Sequence, residues 1–374
     1  MRPRAGVAAA ALAAAAVAGC GGSGSSPRSS AASAGGPGRS TAAGPAAPGD
    51  LSLRRQVGQL LILSFHGTTA PGYVENILRD GTAGGAILFG ENVASPGQLR
   101  ALTSALQSAA GGSVLVAVDQ EGGDVRIVPF AGPDAAQSEI STATDAHAAS
   151  RSAGRELRGL GINVNLAPVA DVAQPGTPLG GRDFPGVPGA VAALVRASVA
   201  GAASARVAAT AKHLPGFGAA DANTDARPVT IDRTVPELRA VDLVPFRAAV
   251  DADVPLVMAS HALYPAMDPY SIASQSQTIL QGLLRAQLHF RGAIVTDSIE
   301  ARAVIRRSDV GTAAVRSVAA GADLVLMTGP GSFRLVFPRL LAEARRSAGF
   351  RARVRDAVAQ VLALRRRLGL RSPR

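Results

Sequence analysis

The chain has 374 residues, 47% of them hydrophobic and 17% charged, which is ample for a sizeable core. Its net charge of +11 offers a surface to anionic polymers or membrane headgroups. Aromatics supply only 3% of the residues and no recognition motif accompanies the arginines, so no nucleic acid partner is expected. The single cysteine, Cys20, excludes an internal disulfide.

In chain order, Arg2 and Arg4 make a positive start, Val7 to Val17 an apolar run and Ala18-Gly19 a small-residue stop. The run is shorter than the roughly 20 residues that span a bilayer. It closes as Val17-Ala18-Gly19-Cys20, which resembles the lipobox of bacterial lipoproteins. That resemblance implies a leader over residues 1–20, lipid attachment at Cys20, and anchorage on the outer face of the cytoplasmic membrane. Residues 21–50 are Gly, Ser, Ala and Pro, expected to act as a flexible tether to a folded domain over residues 51–374. Much of the remaining positive charge lies in Arg345-Arg346, Arg351 to Arg355 and Arg365-Arg366-Arg367, expected on the solvated faces of terminal helices.

From Leu51 onward short apolar runs alternate with helical spacing. The runs are Leu60–Phe65, Ala86–Phe89, Val114–Val118, Ile162–Ala167, Val207–Ala211, Pro255–Ala259, Ala293–Thr296 and Asp323–Met327. Each is too short for a helix and reads as a strand buried on both faces. Ala136–Leu160, Val191–Ala205 and Val235–Asp251 are predicted helices. The alternation predicts an α/β fold, a single (β/α)₈ TIM-type barrel.

Polar residues follow the strands. Val118 leads to Asp119-Gln120-Glu121, Ala167 to Asp171 and then Arg182, Ala211 to Lys212-His213, Ala259 to Ser260-His261, and Thr296 to Asp297. In a closed barrel these converge on one face. Lys212 is the only lysine of the chain, in a composition that otherwise uses arginine. A position that resists that bias is one where a compact ammonium matters.

Two kinds of chemistry use such a mixture. Metal catalysis wants clustered ligands, but His66, His147, His213, His261 and His289 are dispersed, so neither a metal nor any other cofactor is expected. His147 and His289 read as structural, while His66 and His261 are candidates for the pocket rim. Glycoside hydrolysis needs a carboxylate that attacks the anomeric carbon and a second group that protonates the leaving oxygen. Asp297, at the end of a rigid apolar strand, is the candidate nucleophile. Asp119, Arg182, Lys212 and His213 are candidate ligands for sugar hydroxyls.

Taken together, Asp119-Gln120-Glu121-Gly122-Gly123, Asn165 to Val172, Gly181-Arg182-Asp183-Phe184, Lys212-His213-Leu214-Pro215-Gly216 and Thr296-Asp297 resemble the bacterial β-N-acetylhexosaminidases of glycoside hydrolase family 3. The resemblance implies a retaining mechanism through a glycosyl-enzyme on Asp297, with Asp119, Arg182, Lys212 and His213 on the sugar. It implies a terminal β-linked N-acetylglucosamine substrate, typically from cell-wall muropeptides, and a monomer is expected.

Three departures from the family pattern stand out. Asp124 and Ile127 occupy positions where the family usually has arginine, with Arg126 one step out of register. Phe217 stands where the family often has histidine. Asn223-Thr224-Asp225 replaces the Asp-Ser-His whose histidine serves as acid/base in relatives. Asp225 is therefore the candidate acid/base, with Asp221 on the same loop as the alternative. Loss of proton transfer would leave a glycan-binding lipoprotein, and a β-glucosidase-like specificity is a third reading.

Overall fold

All eight apolar runs become strands. The computed structural model describes residues 47–174, 176, 177 and 179–373. Its barrel strands are β1 (Leu61–Leu63), β2 (Gly85–Ile87), β3 (Leu115–Val118), β4 (Val164–Asn165), β5 (Ala208–Leu214), β6 (Leu256–Ala259), β7 (Ala293–Ser298) and β8 (Leu324–Leu326). Each pairs in parallel with its sequence neighbours, and β1 pairs with β8 to close the ring. This is the expected (β/α)₈ barrel.

Alternation along the strands sorts the core into two shells. Ile62, Ile87, Leu115, Val164, Ala208, Leu256, Ala293, Val295 and Leu324 fill the barrel interior. Their neighbours Leu61, Leu63, Val116 and Ile294 point outward, under the helices. Two strands run past their apolar runs: β5 continues through Lys212 and His213 to Leu214, and β7 through Asp297 and Ser298. Their registers shift between Ala211 and Leu214 and between Val295 and Ser298. Such irregularities re-aim side chains, and here they bracket residues that face the cleft.

Helical segments depart from expectation in detail. Ala136–Leu160 resolves into a 3₁₀ turn, Gln137–Glu139, and a helix, Ala143–Gly159, whose Thr142 hydroxyl accepts the Asp145 N–H. Val235–Asp251 is two helices, Val235–Ala240 and Leu243–Asp251, broken beside the buried Asp242.

The terminal arginines are not all solvated. Arg365 is 2% exposed, and its guanidinium donates to the carbonyls of Ser113 (2.7 Å) and Gly84 (2.9 Å), just ahead of β3 and β2. Arg353 and Arg285 both pair with buried Asp323 ahead of β8. These arginines seal the end of the barrel opposite the site, the face where polar side chains serve stability. Carbonyls left over at the strand starts need donors, and a long side chain from the last helix reaches them.

Among the described residues no helix is long and apolar enough to cross a membrane. The predicted leader, Cys20 and the tether as far as residue 46 lie outside the described residues. Among the described residues a 3₁₀ turn at Pro48–Asp50 precedes the expected domain start at Leu51.

Candidate active site

At the C-terminal ends of the strands lies a cleft of about 390 Å³, whose wall includes Asp119, Arg182, Lys212, His213, Asp225 and Asp297. All six candidate residues therefore reach one cavity, although they come from three strand ends and two loops.

Lys212 anchors the floor. It is 2% exposed, and its ammonium lies 2.7 Å from Asp119 Oδ1 and 2.5 Å from Glu121 Oε1. Arg182 grips the same Glu121 with two parallel bonds, Nε to Oε2 at 2.9 Å and Nη2 to Oε1 at 2.8 Å. Burial opposes the Glu121 charge, but Lys212 and Arg182 outweigh it and hold that carboxyl down at about 2. Burial likewise opposes the Lys212 charge, and Asp119 and Glu121 overcome it, raising Lys212 above the ordinary lysine value.

The strand-end loops are held by buried amides. Gln120 spends its side chain on Val128, Ala131 and Gly132, which folds the segment after β3, and Asn165 pairs with the Gln120 backbone in both directions. Asp171, fully buried, accepts the backbone N–H groups of His213 (3.1 Å) and Phe217 (2.7 Å) on Oδ1. Its Oδ2 receives His213 Nδ1–H at 2.8 Å. That bond orients the imidazole on the cleft wall, with the Phe217 ring edge-on to it. Gly216 turns this loop at φ 131°, and a Cβ there would collide with Asp242.

Asp297 lies at the end of β7. The Ser298 N–H donates to its Oδ1 at 2.7 Å. Burial raises its pKa, but His213, His261, the Ser298 N–H and Lys212 together hold it below the usual carboxylate range. Asp225 shifts the other way. The protein packed around the cleft mouth and the charge of Asp297 push it above the usual value, against opposition from His261, His213 and Arg182. One carboxyl is kept ionised and the other is biased towards protonation, the division of labour that acid–base chemistry at a scissile bond requires.

Some expectations need correction. Asp221 points away from the cleft to pair with Arg227 at 2.9 Å, with 67% of its side chain exposed. His66 is exposed and pairs with Glu91 rather than rimming the pocket. His261 is buried behind Asp297, not on the rim: Nε2–H donates to the Ser298 carbonyl at 2.8 Å, and Nδ1 accepts from the Ser274 hydroxyl at 2.7 Å. At the departures, Val125 and Ile127 face the cleft while Asp124 is exposed. Arg126 is occupied by Asp134 and the Pro129 carbonyl.

Residues 52–364 match the family described as glycosyl hydrolase family 3 N terminal domain. The chain belongs to glycoside hydrolase family 3. It is a glycosidase. It is 34% identical over 304 residues to an uncharacterized secreted glycosyl hydrolase of Arthroderma benhamiae, covering 78% of this chain and 85% of that protein. It is 32% identical over 281 residues to a β-hexosaminidase of Xanthomonas oryzae pv. oryzae, covering 72% of this chain and 84% of that one. Its fold superposes with a TM-score of 0.81 and 34% identity on a family 3 β-N-acetylglucosaminidase of a Paenibacillus species, over 85% of this chain and 63% of that one.

In the sequence of this family 3 chain Glu121 carries no role of its own, and the buried position of His261 is not legible. Glu121 has a signal, since it stands two positions after Asp119 just beyond β3, with only β4 between that strand and the sole lysine on β5. The burial of His261 has none, because its partners Ser274 and Ser298 come from separate segments.

Proposed function

We propose that the protein is a retaining exo-β-N-acetylglucosaminidase that removes terminal β-linked N-acetylglucosamine from cell-wall peptidoglycan fragments. The observation that carries this reading is the opposite displacement of Asp297 and Asp225 within one cleft. Asp297 attacks the anomeric carbon while the Asp225 carboxylic acid gives its proton to the glycosidic oxygen, and the remainder of the glycan leaves as an alcohol. Asp225, now a carboxylate, takes a proton from the incoming water. Water oxygen bonds to the anomeric carbon, the ester to Asp297 breaks, and configuration is retained. Asp119, Arg182, Lys212 and His213 hold the sugar hydroxyls, where charge-assisted bonds give orientation as well as affinity. No cofactor enters these steps.

The names of the Xanthomonas and Paenibacillus relatives support the N-acetylhexosaminide specificity. Leader-like residues 1–20, the Cys20 motif and the secreted Arthroderma relative support export with a lipid anchor on the outer face of the cytoplasmic membrane. The folded domain, residues 51–374, would work as a monomer at the end of its tether.

A chromogenic aryl β-N-acetylglucosaminide tests the activity, and a 2-fluoro sugar tests the intermediate. Turnover with retention, and a fluorosugar ester on Asp297, are expected. Saturable glycan binding with neither turnover nor ester would establish the binding-lipoprotein alternative instead. Labelled fatty acid incorporation that survives Cys20→Ala would overturn the anchor.

A further inference from the structure

A second, open groove of about 660 Å³ is lined in part by Tyr270, Gln275, Arg307 and Arg316. Its wall presents donors. Arg307 makes only a long contact, 3.4 Å, to the Tyr270 carbonyl, and among the described residues no carboxylate pairs with either arginine. The Gln275 amide nitrogen is buried without a partner. Nearby acids are committed elsewhere. Asp268 is saturated by the N–H groups of Tyr270 and Ser271 and the hydroxyl of Ser276, and Asp309 caps its helix through Thr312. Tyr270 is 86% exposed among the described residues, a large apolar face.

The groove is built from the supports of the Asp225 loop. On one side Leu263, in the hairpin that carries Tyr270, exchanges backbone bonds with Val229 (2.9 Å) and Ile231 (2.8 Å). On the other, Ala303 N–H donates to the Thr224 carbonyl at 3.0 Å, four residues ahead of Arg307 in the chain. Those two supports meet where Arg307 reaches Tyr270. A glycan with its terminal sugar in the cleft must leave by the mouth that this loop borders.

We propose that the Tyr270–Arg307–Arg316 groove is an accessory subsite for a carboxylate carried by the leaving-group part of the substrate. Guanidinium forks match a carboxylate, unpaired arginines incur no cost of breaking an existing pair, and the Tyr270 face packs against a ring or an aliphatic linker. The proposal rests on the exo-glycosidase reading of the cleft. It adds that acidic substrates are preferred over neutral ones.

The test compares wild type with the Arg307→Gln/Arg316→Gln double variant and with Tyr270→Ala. Three substrates are used: a neutral aryl β-N-acetylglucosaminide, a disaccharide whose second sugar bears a lactyl carboxylate, and that disaccharide extended by a short acidic peptide. None of the three substituted residues touches the cleft, so the neutral substrate should keep its kcat/KM. On a carboxylate-bearing substrate kcat/KM should fall about five- to tenfold, through KM, the equivalent of one or two charge-assisted bonds. High salt should bring wild type down to the variant. A fall already seen with the lactyl disaccharide assigns the groove to that carboxylate, and one confined to the extended substrate assigns it to the peptide. Equal kcat/KM for variant and wild type on all three, or an equal fall on the neutral one, would overturn the proposal. Calorimetry with the lactyl-peptide sugar alone gives a reading independent of turnover. Saturable binding lost in the double variant supports the subsite even if the aryl substrate is not cleaved, and no binding by wild type overturns it.

Discussion

Arg182 and Glu121 are joined by two parallel hydrogen bonds, 2.9 and 2.8 Å, on the floor of the cleft, and Glu121 also holds the Lys212 ammonium. Lys212 is thus supplied with enough negative charge to stay protonated while buried, and Arg182 is held at a fixed angle on the cleft wall. Glu121 is a positioning residue: it organises the two proposed sugar ligands from beneath.

Removing that charge should be costly. Glu121→Gln keeps the shape but leaves two buried or half-buried cations sharing Asp119, and unfolding in urea should show a loss of about 3 kcal/mol. Arg182→Lys cannot make the paired contact, so kcat/KM should drop about tenfold or more, mostly in KM. Unchanged stability in the first variant and unchanged KM in the second would contradict this account.

The pH profile of kcat/KM should be bell-shaped. Asp297 must be ionised, so activity falls at the acid side as pH drops through its lowered pKa. Asp225 must be protonated, so activity falls at the basic side as pH rises through its raised pKa. Asp225→Ala should remove the basic limb and cost about 10²–10⁴ with a poor leaving group but far less with an activated aryl one. Asp221→Ala, which removes only a surface pair, should do neither. A profile and leaving-group dependence untouched by Asp225→Ala would eliminate this residue as the acid.

His261 should act on kcat rather than KM. Its Nε2–H bond to the Ser298 carbonyl anchors the residue whose backbone N–H donates to Asp297. His261→Ala should lower kcat about tenfold with little change in KM, the loss of roughly one hydrogen bond's worth of positioning. His261→Gln, which retains a donor, should recover part of the rate. A change confined to KM or to folding yield would place His261 outside the reaction.

Asp242 predicts a stability effect of unusual sign for an aspartate. Burial, opposed by Arg233 at 3.4 Å and reinforced by Asp171, raises it to about 7, whereas an unfolded aspartate titrates near 3.9. The folded state therefore holds a proton that the unfolded chain releases. The stability this contributes is complete below about pH 4 and is lost as pH rises through about 7. Asp242→Asn has nothing to titrate, so its melting temperature relative to wild type should rise steadily between pH 5 and 8. A pH-independent difference would mean that Asp242 is already ionised in the fold.

Local chemistry alone was enough to determine the barrel and most of its cleft. Buried parallel strands must be apolar on both faces, so Val114–Val118 and Ala293–Thr296 are legible without partners, and an acid or base after each such run has only the barrel mouth to occupy. Asp119, Arg182, Lys212, His213 and Asp297 were found that way. Other features depend on contacts between segments distant in the chain, which no periodicity encodes. Nothing within residues 221–225 says that Asp221 turns to Arg227 while Asp225 turns to the cleft; the Ala303 and Leu263 backbone bonds that shape the loop decide it. Arg365 reads as a solvated end-of-helix arginine until the strand-start carbonyls of Gly84 and Ser113 appear beneath it. His261 reads as a rim ligand until Ser274 and Ser298 claim both its nitrogens. Apolar burial is a property of each short segment and can be read there, whereas the pairing of a polar group is a property of two, and only the closed barrel brings the second one in.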